Sequence, residues 1–112
     1  MATHVIHVEV VGRDGPKLQK FYADAFGWGL DTDNPYGYGM HREESWLTAG
    51  IGKSQDGWAV HVTFYVHTDD PQGTINRVEK LGGKVIMQLT QVAPETTIAL
   101  FADQEGHVVG LM

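Results

Sequence analysis

No cysteine occurs in the 112 residues, which excludes disulfide staples, thiolate chemistry and every Cys-ligated zinc or iron–sulfur centre. Long apolar runs are also missing: none approaches the ~20 residues needed to span a bilayer. The opening Met-Ala-Thr-His-Val-Ile-His lacks both the basic flank and the apolar core of an export signal. A cytoplasmic protein with no membrane partner is the expectation. Basic residues are few and scattered, 8 Lys and Arg against 14 Asp and Glu, for a net charge of −6. Without a stripe of Lys or Arg to neutralise phosphates, neither nucleic acid nor an anionic membrane surface is an expected partner.

What is present suits one folded domain, with 42% hydrophobic and 20% charged residues. At this length the core is modest, so a homodimer is the default assembly. The chain carries a loose internal repeat. His7-Val-Glu-Val-Val-Gly-Arg-Asp14 leads into a helical run that ends at Phe26-Gly27-Trp28, and Thr63-Phe-Tyr-Val-His-Thr-Asp-Asp70 leads into a second that ends at Leu81-Gly82-Gly83. Each copy shows an alternating strand, an acidic turn, an amphipathic stretch, a glycine stop and further strands. The pattern predicts an α+β fold of two βαβββ modules, residues 1–52 and 58–112, whose curved mixed sheets enclose a concave cleft between them.

Locally, residues 4–11 alternate, with His7, Glu9 and Val11 on one face and Val8 and Val10 on the other. A helix is expected from about Pro16 to Phe26, then short strands at Trp28–Asp31, Met40–Arg42 and Ser45–Ile51, with a mobile loop carrying Tyr36 and Tyr38 among them. In the second module, Trp58–Thr68 puts His61, Thr63, Tyr65 and His67 on one face and Val62, Phe64 and Val66 on the other. A helix opens at Asp69-Asp70-Pro71, and strands follow at Lys84–Val92, Thr96–Ala102 and His107–Met112. A ferredoxin-like dimeric barrel, with two strands rather than three after the first helix, is the competing architecture.

His7-Val-Glu-Val10, Phe21-Tyr-Ala-Asp-Ala-Phe-Gly-Trp28, Val66-His-Thr-Asp-Asp70, Val78-Glu-Lys-Leu-Gly-Gly83 and Asp103-Gln-Glu-Gly-His-Val-Val-Gly110, taken in order, cover nearly the whole chain. In that order the sequence resembles the vicinal oxygen chelate superfamily of glyoxalase I, extradiol dioxygenases and bleomycin-resistance proteins, above all its small bacterial glyoxalase-related members. The resemblance implies a divalent metal held by four side chains from the first and last strands of each module. His7, seven residues before Asp14, matches one ligand position. Thr63 stands at the second and Gly110 at the third, while the fourth falls among Trp46, Thr48 and Gly50; only His7 offers a metal ligand. His7, Glu9 and His61 are a conceivable replacement set, although ligands two apart on a strand are separated by about 7 Å.

A cleft without the family metal would still suit a small organic molecule, with polar groups converging from aromatic walls at Trp28, Tyr36, Tyr38, Trp46 and Trp58. In this reading His7 and Glu9 are the candidate catalytic pair, a base acting next to a carbonyl, and His61, Thr63, Tyr65 and Trp46 contact the ligand. No cofactor is then required, and whether a reaction follows is left open. The alternative is a metal-dependent lyase, isomerase or dioxygenase using a rearranged ligand set that includes His7. His4, His41 and His107 are expected at strand ends or in loops, in contact with solvent.

Overall fold

Helix boundaries follow the capping residues. In the computed structural model, which describes residues 3–43, 47–54 and 61–112, α1 (Gly15–Phe26) begins at Asp14, whose Oδ1 accepts from Lys17 N at 3.1 Å. Pro16 occupies the first turn, where its missing N–H costs nothing. Gly27 ends the helix in the left-handed region at φ 71°, its N–H bonded to Ala23 O at 2.8 Å. These residues belong to one of two compact units, residues 7–62; the other comprises residues 1–6 and 63–112.

In the first unit, residues 7–12 of β1 (His4–Gly12) pair in parallel with β3 (Thr48–Lys53), which pairs antiparallel with β2 (Gly39–Arg42). The strand expected at Trp28–Asp31 is reduced to one bridge between Asp31 and Met40. The cause lies in Asp31 itself: its carboxylate accepts from Asp33 N at 2.9 Å and turns the chain away. Strand alternation gives the sheet two distinct faces. Ile51, 1% exposed, and Ala49 lie under α1, where Gln19 Nε2 donates to Ile51 O at 2.8 Å. The opposite face carries His7, Glu9, Thr48, Gly50 and Gly52, aligned by the register His7↔Thr48, Glu9↔Gly50 and Val11↔Gly52.

The loop that carries the two tyrosines is tied down rather than loose. Asn34 Oδ1 accepts from Tyr36 N and Tyr38 N at 3.1 and 3.0 Å, and its Nδ2 donates to Tyr38 O at 2.7 Å. Gln19 of α1 adds a bond to Gly37 O at 2.8 Å. One asparagine and one helix residue thereby fix where Tyr38 leaves the loop, while Tyr36 stays 74% exposed.

The second unit holds most of β4 (His61–His67), then α2 (Pro71–Lys80), β5 (Lys84–Ala93), β6 (Thr96–Ala102) and β7 (Val108–Leu111). β4 runs parallel to β7, with β6 and β5 following antiparallel, a complete βαβββ order. Asp70 caps α2 by accepting from Gly73 N at 3.0 Å. Ile75, Ala99 and Leu111 form the core, with Val66, Val85, Leu89 and Phe101 packed against it. On β4 the polar set is the covered one: Thr63 and Tyr65 are buried, whereas Val62 and Phe64 are exposed. The chain is thus α+β; the second unit has the order anticipated from the repeat, whereas in the first the strand expected directly after α1 is reduced to the Asp31–Met40 bridge.

Ile75 is 1% exposed and central to that core. Ile75→Ala should therefore cost about 2–5 kcal/mol in urea denaturation; a loss near zero would show that the cluster is not the unit's core.

Candidate functional site

One tyrosine organises the polar face of β1. The ring of Tyr38 lies across Gly50 and Gly52: a Cβ built on Gly50 would fall 1.6 Å from Tyr38 Oη, and one on Gly52 2.8 Å from a ring carbon. Two glycines on one face of β3 are thus the floor that lets the phenol reach β1. There its hydroxyl donates to Glu9 Oε1 at 2.9 Å and lies 2.8 Å from His7 Nε2. On the other side of the imidazole, Nδ1 is 2.6 Å from Thr48 Oγ1. Because the phenol's proton goes to Glu9, its oxygen must accept from His7 Nε2–H, and Nδ1 accepts the Thr48 hydroxyl proton. The donors run in one direction, Thr48 to His7 to Tyr38 to Glu9.

His7 is only 5% exposed. Burial holds its imidazole below the ordinary value of 6.5, against a smaller upward pull from the Glu9 charge. In the neutral ring that burial favours, the hydrogen-bond direction is the one just given. Across Glu9, the ring of His61 approaches with Nε2 3.7 Å from Glu9 Oε2. That nitrogen is buried and has no hydrogen-bond partner among the described residues.

The remaining expected site residues fall elsewhere. Thr63 Oγ1 donates to Val108 O at 2.5 Å, a backbone-tying role. Tyr65 is buried, its ring across Gly110, where a Cβ would meet it at 2.2 Å. Trp46 and Trp58 lie outside the described residues. Trp28 stacks on His41 at 4.4 Å and 7°, and Tyr22 and Phe26 of α1 complete this aromatic group. His41 is accordingly a half-buried strand residue instead of a solvated one, whereas His107 is exposed beside Asp103. The Asp103 carboxyl is held below the usual carboxylate range, chiefly by the backbone N–H of His107. A shallow depression bounded by Gly29, Leu30, Asp31, Met40, His41 and Arg42 contains none of the His7 cluster.

These side chains do not fit the metal that the resemblance implies. Of the four ligand positions, one is His7 with both ring nitrogens in hydrogen bonds and one is Thr63 with its hydroxyl on a carbonyl. Gly110 and Gly50 have no donor, and tyrosine rings occupy the space a side chain there would need. The two glycines are equivalent in register, Glu9↔Gly50 and Tyr65↔Gly110. Among the described residues no group of three His, Asp or Glu side chains is placed to hold an ion.

Residues 7–112 match the family described as the glyoxalase-like domain. The chain belongs to the glyoxalase-like domain family. It is 25% identical over 109 residues to a glyoxylase-like domain-containing protein of Didymella fabae, covering 89% of this chain and 85% of that protein. It is 27% identical to CFP32, a glyoxylase candidate of Mycobacterium bovis, over 93% of this chain but 43% of that protein. The chain therefore spans less than half the length of this mycobacterial relative. Among solved structures, a glyoxalase/bleomycin resistance protein/dioxygenase superfamily member from Vibrio splendidus superposes with a TM-score of 0.67 at 15% identity, over 98% of this chain and 97% of that one. Methylmalonyl-CoA epimerase of Mycobacterium tuberculosis gives 0.64 at 13% identity, over 96% and 85%. At such identities these two establish the shared fold alone.

Sequence reasoning paired His7 with Glu9 but left Tyr38 as a wall residue of a loop. The available signal was the Gly50-Ile51-Gly52 spacing, which strips one face of a strand of side chains and so requires something to cover it.

Two outcomes follow. Gly50→Ala should drive the phenol off β3 and cost about 1–3 kcal/mol, more than Tyr38→Phe, as read by thermal denaturation of both; equal stability of Gly50→Ala and the parent would remove the glycine floor from the account. For pH, the unfolded chain binds the His7 proton more readily than the folded one. Its contribution to stability is thus complete above 6.5 and lost as pH falls through the lowered folded value. His7→Gln should flatten the acid side of the stability curve, and an unchanged slope would count against a buried neutral imidazole.

Proposed function

We propose that this chain binds a small organic molecule against the face of β1 and β3 that carries His7, Glu9 and Tyr38, with His61 beside them. One observation carries the reading: four chemically active side chains from three separate segments converge on a partly buried surface, held by a directed hydrogen-bond chain. Few, fixed polar groups on an otherwise apolar and aromatic framework describe a small-molecule site. The metal-dependent lyase or dioxygenase reading has less support, since tyrosines stand over Gly50 and Gly110. The chemistry available without a metal is proton transfer, with Glu9 as base toward a carbon next to a carbonyl and the His7–Tyr38 pair holding it in place. The acidic chain lacks cysteine and fits a cytoplasmic homodimer.

The test is a ligand-observed NMR fragment screen on the parent protein, repeated on His7→Ala and Glu9→Ala. A fragment that binds the parent should lose at least about tenfold in affinity, roughly 1.4 kcal/mol, in both variants while their folds stay intact by circular dichroism. Unchanged affinity would move the site elsewhere. Sedimentation should find a dimer at micromolar concentration; a monomer would retire the dimer.

A further inference from the structure

We propose that His41, stacked on Trp28 with its edge toward Glu43, is a proton-operated clamp: on taking up a proton it fastens the segment that follows α1 to the edge strand β2. The His41 ring lies parallel to the Trp28 indole, 7° apart in plane with 4.4 Å between centroids, and Phe26 of α1 backs the indole at 5.0 Å. His41 Nε2 is buried with no hydrogen-bond partner among the described residues. Glu43 Oε2, the carboxylate oxygen that faces it, stops at 3.6 Å, beyond the roughly 2.7–2.9 Å of a charge-assisted hydrogen bond. With a neutral imidazole both contacts are weak: the indole faces no cation, and a buried nitrogen goes unsatisfied.

A proton changes both contacts in the same sense. The positive ring then lies on the face of an indole, the strongest aromatic partner for a cation, well inside the limit of about 6 Å. It also carries a hydrogen on each nitrogen, so Nε2 donates to the Glu43 carboxylate as a charge pair. Glu43 is exposed, and rotation of its own side chain closes the remaining distance. The proton need not open the core, since His41 borders the shallow depression at the edge of β2. Asp31 and Arg42 border the same depression with opposite charges, α1 presents Tyr22 and Phe26 to the indole, and β3 pairs His41 with Ala49. Among the described residues Glu43 is therefore the carboxylate that answers the proton. The result is a second fastening beside the Asp31–Met40 bridge, on the strand that pairs with β3.

Trp28 reports the clamp directly. In a protein carrying Trp46→Phe and Trp58→Phe, Trp28 is the one indole left of three. Its emission should fall as pH is lowered from about 8 to about 5, the range in which histidines change charge, because a protonated imidazole stacked on an indole quenches it strongly; circular dichroism should stay constant throughout. Adding His41→Phe, which keeps a ring on Trp28 but takes no proton, should abolish the transition. Glu43→Gln should move its midpoint down by roughly 0.2–0.7 pH units, the worth of a partly exposed ion pair, and His7→Gln should leave it in place. The Trp28 indole N–H, followed in 1H–15N spectra of the parent protein, gives the same titration if the tryptophan variants do not fold. A signal flat with pH, a transition that survives His41→Phe or vanishes in His7→Gln, or a midpoint indifferent to Glu43→Gln would each overturn the clamp.

Discussion

Contact between the Tyr38 ring and the bare backbone of Gly50 and Gly52 is the constraint on which the site depends. A side chain at either glycine would lift the phenol from the sheet. Its hydroxyl then could not sit between His7 and Glu9. The contact is reinforced from outside the sheet: Asn34 and Gln19 fix the loop that delivers the ring. Three layers of cause are visible in one residue: loop capping sets its entry, glycine sets its depth, and its hydroxyl bonds to both His7 and Glu9.

Hydrogen bonding of this kind lets ionisable groups be tolerated on a covered surface. Burial disfavours the charged form of His7, and a neutral imidazole can both accept and donate, as Thr48 and Tyr38 require. Glu9, less enclosed than His7, takes the end of the chain, where an acceptor with no proton of its own is wanted. For a neutral ring the arrangement is consistent in one direction, which sets the tautomer. Among the described residues, the Nε2 atoms of His41 and His61 are buried without a hydrogen-bond partner.

Much of the fold was legible because it rests on local rules. Asp14, Pro16 and Gly27 bound α1, Asp70 and Pro71 open α2, and alternation locates β4 to β7, so the second unit followed its expected order closely. The first unit was harder to read. Asp31 looked like a strand end but spends its carboxylate on a turn, and His41 looked solvated but is covered by Trp28, a contact between residues too far apart in the chain for periodicity to reveal. At the site, His7 and Glu9 were readable from their shared strand face. Tyr38 was not, because its position depends on a loop hydrogen-bonded to a helix and on what β3 omits.

The glycine–tyrosine pairing is repeated, with Tyr65 over Gly110 as Tyr38 lies over Gly50. Each pair is sterically coupled, so its two positions are not independent. An acidic side chain introduced at the glycine alone collides with the ring, and loss of the ring alone exposes bare backbone and, at Tyr38, removes one hydrogen bond each from His7 and Glu9. Passage between a tyrosine-closed site and a carboxylate-lined one therefore takes two coordinated substitutions, since the ring and a side chain at the glycine compete for one space. Relatives bearing an acid at either glycine position should be sought among those that have also given up the tyrosine.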